Sequence, residues 1–217
     1  MTKMIRTLGL ACAWALSVVP LAHASDDVGE VIAGVEAKYG KVSSLQASFV
    51  QINRSAAMGE TKQKGKLSLE RPRKMRWAFT KPPGKLFVTD GTTMWVWSKA
   101  DNQVIISQVA AGANSGDMTQ LLDSLDKLGE LFEVELLDGT DKSYQLKLTP
   151  RTQGNVKYVE LMVSRKTFTV EPVKTVDGFD NEMELSFDNI KTNVSIPAKD
   201  FSFDVPSSAQ VIKTGGP

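Results

Sequence analysis

Cysteine and histidine are the scarcest residues of this 217-residue chain, which has one of each. They are Cys12 and His23, and both lie within the first 24 residues. A long apolar run is also lacking beyond the N-terminal segment, so we expect no internal membrane-spanning helix. Lys and Arg total 26 against 25 Asp and Glu, and this balance gives no indication of nucleic-acid binding.

Residues 1–24 have the three parts of a secretory signal peptide. Lys3 and Arg6 form the positive start, Leu8–Val19 is the apolar middle, and Ala22-His23-Ala24 is a small-residue cleavage site. We therefore expect cleavage after Ala24 and export of the remaining chain. An uncleaved anchor helix is the alternative interpretation of the same segment.

Lipidation at Cys12 is a second alternative for the N-terminus. Gly9 stands where a lipoprotein signal usually has Leu, and cleavage at Cys12 would leave the Ala22-His23-Ala24 site unused. Cleavage after Ala24 instead removes both special residues and leaves 24 basic against 25 acidic residues.

The exported chain would then lack several kinds of chemistry. Without Cys or His it forms no disulfide, no thiolate nucleophile, no Ser-His-Asp triad and no Cys- or His-ligated zinc site. Carboxylate, Lys and Tyr chemistry remains, but no spacing marks two acids as a catalytic pair. We therefore expect a non-enzymatic protein with no catalytic residue, no metal site and no cofactor.

A helix is predicted at the start of the exported domain. Val28, Val31, Ile32, Val35 and Tyr39 recur at helical spacing and form one apolar stripe. Asp26 or Asp27 is a suitable N-cap, and Gly40 is a suitable end.

The period then changes to two, which is typical of strands with one buried face. About a dozen strands are expected, separated by turns such as Asp90-Gly91 and Asp177-Gly178. This pattern predicts a mainly β protein with some α: an antiparallel meander of about 11 to 12 strands that forms an incomplete barrel. The clearest alternating segments are Leu45–Gln51, Lys62–Leu69, Met75–Phe79, Phe132–Leu136, Tyr144–Leu148, Met183–Phe187 and Phe201–Val205.

One segment interrupts the meander. Residues 109–116 are rich in small residues and predict a flexible loop, after which Asp117 can cap a second helix that ends at Gly129. Its apolar face needs a surface to lie on, and the barrel mouth beside the first helix is the expected place. That face consists of Leu121, Leu122, Leu125 and Leu128. We expect one domain over 25–212 and a disordered tail over 213–217.

Four segments in series resemble the LolA family of periplasmic outer-membrane lipoprotein carriers. They are Val42–Gln51 with its Phe-Val-Gln, Gly65–Trp77 with its Arg-Pro, Leu86–Trp95 with its Asp-Gly, and Ile196–Pro206 with its Phe-Ser-Phe and closing Pro. Order and spacing agree across about 26–212. The resemblance implies a LolA-like half-barrel with short helices as a lid over an apolar cavity, which binds acylated lipoprotein cargo.

The resemblance also implies a periplasmic monomer and its partners. These are an inner-membrane ABC transporter (LolCDE-like) that loads the carrier and an outer-membrane receptor (LolB-like) that unloads it, with no nucleic acid. The family's lid-latching Arg falls on Arg71. The next aromatic of that motif falls on Met75, a departure that keeps an apolar group but loses a ring.

Strand parity gives an independent argument for the cavity. The apolar residues Leu67, Leu69, Met75, Trp77 and Phe79 lie at odd positions, whereas Lys62, Lys64, Lys66, Lys74 and Arg76 lie at even positions. Odd side chains should therefore face inward. Arg71 is then either a polar latch on the lid or a strand-end residue that reaches water. The candidate ligand-binding residues are Arg71, Met75, Trp77, Phe79, Phe49, Leu69 and Trp95, with Leu121, Leu122 and Leu125 on the lid helix. Ordinary core packing is the alternative for the aromatic residues.

Other functions remain open at this point. A LolA-like carrier of another lipid or glycolipid with a different exporter would have the same sequence features. A sensory or receptor domain of this architecture is a second alternative, and a carboxylate-dependent enzyme is a third. The basic run Lys62–Arg76 suits either a solvated strand face or a surface that docks on an acidic partner or anionic headgroups.

Overall fold

The computed structural model describes residues 27–109 and 118–214. The predicted signal peptide, the loop over 110–116 and the capping Asp117 lie outside these residues. Within the two ranges, no helix has the length and apolar character needed to cross a membrane.

The first helix, α1, covers Val28–Tyr39 and begins and ends as predicted. The Asp27 carboxylate accepts a hydrogen bond of 2.8 Å from the Gly29 amide. Gly40 ends the helix in a right-handed conformation, and its amide donates to the carbonyl of Glu36. Val31 and Val35 are buried in the core, so the apolar stripe faces inward.

Twelve strands of the described chain form one open sheet. Their bounds are β1 Ser44–Ser55, β2 Gly59–Glu70, β3 Lys74–Lys81, β4 Pro83–Asp90, β5 Thr93–Ser98, β6 Gln103–Gln108, β7 Phe132–Leu137, β8 Ser143–Pro150, β9 Val156–Ser164, β10 Val170–Asp177, β11 Glu182–Thr192 and β12 Gln210–Thr214. This mainly β, unclosed sheet confirms the predicted fold class. Six of the seven alternating segments lie in strands.

The sheet consists of two meanders that meet at one seam. Strands β1 to β6 form one meander and β7 to β11 the other, and β1 pairs antiparallel with β11. The register between them shifts between Gln46 and Ser48. Such an irregularity bends a strand and helps the sheet curve around its hydrophobic core.

Strand β12 corrects two expectations. It pairs parallel with β6, so the sheet is not wholly antiparallel. Lys213 and Thr214 belong to it, so the expected disordered tail does not begin at Lys213. Residues 215–217 lie outside the described range.

The prediction of a strand over Phe201–Val205 is wrong. A 3-10 helix covers Ala198–Phe201, and no strand follows until β12. Phe201 is buried and Phe203 lies near Trp97. The alternating apolar residues of this segment therefore pack on the sheet with their side chains. Its backbone does not pair with any strand of the described sheet.

Two short helices, α2 at Met118–Asp123 and α3 at Leu128–Leu131, replace the single predicted lid helix. A turn over 124–126 separates them, and Gly129 lies inside α3 instead of ending a helix. Leu121, Leu125 and Leu128 are buried in the same core as α1. The apolar face was therefore predicted correctly, although the helix bounds were not.

Candidate functional site

A cavity of about 430 Å³ lies where α1 and α2 cover the ends of strands β1, β2, β10 and β11. This volume is within the range of about 300–1,000 Å³ that small-molecule pockets usually have. Its inner walls are aliphatic and aromatic. They include Leu45, Leu67, Leu69, Leu122, Leu125, Val173 and Phe187.

The predicted parity of β2 and β3 is confirmed. Leu67, Leu69, Met75 and Trp77 are between 2% and 6% exposed, whereas Lys62, Lys64 and Lys66 lie on the opposite, exposed face. Of the predicted cavity and lid residues, Arg71, Leu69, Leu122 and Leu125 border this cavity. Leu121 is buried in the core behind it.

Four other predicted residues lie deeper in the barrel and fill it. The rings of Phe49 and Trp77 meet edge to face with centroids 5.1 Å apart, and Phe49 meets Phe79 at 5.2 Å. Met75 belongs to the same core, and none of the four borders the cavity described above. The departure at Met75 therefore leaves the walls of this cavity unaffected.

Gly65 makes room for this aromatic cluster. It is the cross-strand partner of Phe49, and a Cβ at position 65 would overlap the carbonyl oxygen of Ala78 and contact the Phe49 ring at 2.5 Å. A side chain at position 65 would therefore displace the Phe49 ring from its position against β2.

Trp95 is a correction. It pairs with Val88, which pairs with Arg76, and directly paired residues share a face of the sheet. Trp95 therefore lies on the convex face with Arg76, opposite the face that Trp77 occupies. The prediction that Trp95 lines an acyl cavity is therefore wrong. The sequence of β5 alone does not show how this strand aligns with β4 and β3, and that alignment decides which face Trp95 occupies.

Arg71 joins three separate elements. Its Nη1 donates a hydrogen bond of 3.0 Å to the carbonyl of Tyr39 at the end of α1. Its Nη2 lies 3.2 Å from Oδ1 of Asp126 in the turn after α2, and its backbone amide donates to the carbonyl of Ser43. The side chain is 17% exposed. One guanidinium thus holds both covering elements to the sheet.

Two carboxylates face this guanidinium, and sequence reasoning missed both. Asp126 makes the close ion pair, whereas Oδ1 of Asp123 lies 3.8 Å from the Nε of Arg71. Neither that Nε nor that Oδ1 has a hydrogen-bond partner within the described chain. The available signal was the sequence Leu122-Asp123 and Leu125-Asp126, since residues three apart lie near one another on a helical turn.

The electrostatics of the two acids differ. Burial raises the pKa of the Asp123 carboxyl, and the nearby charge of Asp126 adds to this effect. The positive charge of Arg71 and a hydrogen bond from the Arg73 backbone act against it. Ionised Asp123 is therefore poorly compensated, and Asp126 is the better counterion of Arg71.

Tyr39 fixes the end of α1 in a second way. Its hydroxyl accepts a hydrogen bond of 3.1 Å from the amide of Val170 at the start of β10. Burial raises the pKa of this hydroxyl, so it stays protonated at neutral pH. The last residue of α1 is thus tied to β10 by its side chain and to Arg71 by its carbonyl.

Asn193 holds the link between α1 and β1. Its Oδ1 accepts from the Ser43 amide at 2.9 Å, and its Nδ2 donates to the Lys41 carbonyl at 3.0 Å. Its φ of 56° is a left-handed value that Asn tolerates better than most residues. The alternating pattern of β11 ended before this position and gave no signal for the contact.

The helix α1 also contacts α3 directly. The Glu36 carboxylate on α1 accepts a hydrogen bond of 2.9 Å from the amide of Gly129 in α3. A carboxylate near the first turn of a helix is favourable, because the amides there lack partners within the helix. This contact makes α1 and α3 one connected cover.

The described residues contain no cluster of three His, Cys, Asp or Glu side chains placed to hold a metal ion. The residues that border the cavity include no carboxylate. The arrangement is therefore suited to enclosing an apolar group under a cover.

An open sheet with a helical cover tied down over an apolar cavity defines a binding protein of the half-barrel class. The family model described as outer membrane lipoprotein carrier protein LolA matches residues 40–204, and the chain belongs to this family. The outer-membrane lipoprotein carrier protein of Pseudomonas paraeruginosa is 27% identical over 215 residues, which cover 97% of this chain and 99% of that protein. That of Cupriavidus pinatubonensis is 29% identical over 214 residues, covering 96% and 98%.

A solved structure supports the fold. The crystal structure of an uncharacterised conserved protein from Thermus thermophilus superposes with a TM-score of 0.52 at 16% identity. The match covers 86% of this chain and 98% of that chain.

Proposed function

We propose that this chain is a non-catalytic periplasmic carrier that encloses the acyl chains of lipoproteins and delivers them to the outer membrane. One observation carries the proposal: a chain of the LolA family has an apolar cavity under α1 and α2, both of which are tied to the sheet by Arg71. The names of its full-length relatives support the same role.

The physical need for such a carrier follows from the hydrophobic effect. Each buried CH₂ is worth about 0.8 kcal/mol, so an acyl chain of about 15 methylenes resists transfer into water by about 12 kcal/mol. A lipoprotein therefore crosses an aqueous space only if its chains are covered. The aliphatic walls around Leu69, Leu122 and Val173 supply that cover.

The present cavity corresponds to a closed state. Its volume of about 430 Å³ suits one chain-sized ligand better than two or three chains. Loading a lipoprotein would require α1 and α2 to move away from the sheet. Such a movement would break the contacts that Arg71 makes with Tyr39 and Asp126 and the contact of the Tyr39 hydroxyl with Val170.

The proposal also includes the export of the chain and its two partner proteins. Lys3, Arg6 and the Ala22-His23-Ala24 site support a signal peptide that is cleaved after Ala24. A LolCDE-like transporter would load the carrier, and a LolB-like receptor would accept the cargo. The mass of the protein recovered from the periplasm tests the cleavage site directly.

Native mass spectrometry of the protein from its own periplasm tests the function. We expect an acylated polypeptide bound one to one. Free phospholipid or glycolipid in its place would contradict lipoprotein carriage and favour a carrier of another lipid.

A release assay provides a second test. The purified protein, added to spheroplasts, should bring newly made lipoproteins into the soluble fraction. The same preparation without the carrier is the control. Lipoproteins that stay in the membrane in both samples would contradict the proposal.

A further inference from the structure

The cavity has one uncovered side. Most of the residues that border it are buried or half-buried, but four are exposed: Lys41, Ile190, Thr192 and Asn193. Lys41 lies in the link after α1, and the other three lie at the end of β11 or directly after it. The closed cavity therefore opens to solvent between this link and the end of β11.

The inner face of β11 changes parity along the strand. Phe187 pairs with Phe49, and Thr192 pairs with Leu45. Directly paired residues share a face, and both pairs face the interior, where Leu45 and Phe187 border the cavity. A regular strand would place positions 187 and 192 on opposite faces, so β11 has an extra residue between them.

The extra residue belongs to a β-bulge at Asn189. Its φ of 54° is a left-handed value, and the shift in register with β1 falls at the same place. Beyond the bulge, Ile190 borders the cavity and Lys191 does not. Ile190 is 41% exposed, whereas Leu185 and Phe187 on the inner face before the bulge are buried. The bulge thus turns an uncovered apolar side chain toward the opening, as bulges at barrel rims often do.

The cargo of the proposed carrier has two parts with opposite needs. Acyl chains need an apolar wall, whereas the polypeptide attached to them has backbone N–H and C=O groups that need water or hydrogen-bond partners. The polypeptide therefore has to leave the cavity where the cavity is open. The exposed polar residues Lys41, Thr192 and Asn193 lie along this opening.

We propose that the polypeptide of a bound lipoprotein leaves the cavity between the link after α1 and the end of β11, with Ile190 beside its acylated end. The inference rests on the proposed function and adds the route of the polypeptide. It has a consequence for the cover. The contacts of Arg71 with α1 and with the turn after α2 can form again in the loaded carrier, because the polypeptide does not pass between them.

Site-specific photo-crosslinking tests this route. The chain from Ser25 onward has no cysteine, so Ile190→Cys provides a single attachment site for benzophenone maleimide, whose flexible tether can turn away from the opening. The labelled carrier is loaded with lipoproteins from spheroplasts and irradiated, and mass spectrometry identifies the crosslinked peptides. We expect crosslinks to the first three or so residues of the cargo polypeptide, which span about 10 Å when extended.

Phe179→Cys is the control for position. Phe179 is 90% exposed in the turn between β10 and β11, at the opposite end of β11 from Ile190. The same label at this position is at least as accessible to solvent. We expect it to give no crosslink to the first residues of the cargo.

A bulky side chain at the opening provides a second test. Ile190→Trp should lower the amount of lipoprotein released from spheroplasts about fivefold, as for a steric cost of about 1 kcal/mol. Ile212→Trp is the matched control, because Ile212 is 36% exposed on β12 and does not border the cavity. Thermal unfolding should stay near that of the wild type in both variants, since both positions are exposed.

The outcomes separate the proposed route from the proposed function. Crosslinks to the first cargo residues that are as frequent from Phe179→Cys as from Ile190→Cys would overturn the route. A loaded carrier in which the label at position 190 reaches none of these residues would also overturn it, as would an equal loss of release in Ile190→Trp and Ile212→Trp. In each case the unlabelled wild type still releases lipoproteins and the carrier function stands. A wild type that releases none would contradict the proposed function itself.

Discussion

The Nη1 of Arg71 lies 3.0 Å from the carbonyl oxygen of Tyr39, and this contact joins the strand-end turn after β2 to the last residue of α1. The same guanidinium faces Asp126 at 3.2 Å. Because Arg71 contacts both α1 and the α2–α3 turn, loss of its side chain would free both elements at once. Arg71 is therefore the residue to replace in a test of the cover.

Replacing Arg71 with Leu should loosen the cover. The change leaves Asp126 and the carbonyl of Tyr39 without their partner, and we expect a loss of about 1–3 kcal/mol in the free energy of unfolding. Amide hydrogen exchange in α1 should rise, and lipoprotein transfer in a reconstituted assay should slow at loading or at handover. Urea unfolding and exchange mass spectrometry measure the first two effects.

Arg54→Leu is the matched control for this variant. Arg54 also faces carboxylates, those of Glu60 and Glu184, but on the exposed face at the other end of β1. Its loss should leave exchange in α1 unchanged. Unchanged exchange and transfer in Arg71→Leu would count against a latch.

The two acids beside Arg71 should behave oppositely. Since burial raises the pKa of Asp123, its ionised form destabilises the folded state, and Asp123→Asn should maintain or raise stability at neutral pH. Asp126→Asn should lower it, because it removes the closer counterion. Urea unfolding of the two variants at one pH gives the comparison.

The pH dependence of Asp123→Asn has a defined sign. A carboxyl with a raised pKa in the folded state contributes stability that is present below its unfolded pKa and is lost as pH rises through the folded pKa. The advantage of Asp123→Asn over the wild type should therefore shrink on acidification. An advantage that grows toward low pH would be inconsistent with a raised pKa.

Gly34→Ala should destabilise the protein although Ala favours helices by about 1 kcal/mol. A Cβ at this position of α1 would overlap the ring of Phe168, so we expect a net loss of about 1–3 kcal/mol from overpacking. Thermal unfolding provides the measurement.

The same substitution made in a Phe168→Ala variant tests the cause of that loss. With Phe168→Ala the ring is absent, and the same Gly34→Ala change should then stabilise the protein through helix propensity alone. If Gly34→Ala is as harmful without the ring as with it, the contact with Phe168 is not responsible.

Trp77 and Trp95 should differ in how much each stabilises the protein. Trp77→Ala empties part of the aromatic core and should cost about 3–5 kcal/mol. Trp95→Ala should cost less, because its side chain is only half-buried on the convex face, and it should leave lipoprotein binding unchanged. A marked loss of lipoprotein binding in Trp95→Ala would contradict the strand register.

Local patterns predicted the elements whose determinants are local. The bounds of α1 follow from Asp27, the apolar spacing and Gly40 within one short segment. The strands follow from alternation, since each buries one face. The inward position of Met75 and Trp77 could be derived from parity alone, because a single hairpin connects β2 and β3.

Features that depend on register between distant segments were not predictable. The face of Trp95 depends on two successive strand pairings, and the meeting of Asp126 with Arg71 depends on where α2 lies on the sheet. Phe201 and Phe203 imitate a strand because an irregular segment also buries alternate side chains. Strand β12 has only exposed residues, so no buried face marked it.

The unclosed sheet has a mechanical consequence. Within the described chain, β12 and β7 are the two edges, and no ladder of hydrogen bonds joins them. A closed barrel can change its diameter only by breaking such a ladder. This open sheet can instead become less curved, for example where β1 pairs with β11. The space between the sheet and its cover can therefore widen while every backbone ladder of the described strands stays intact.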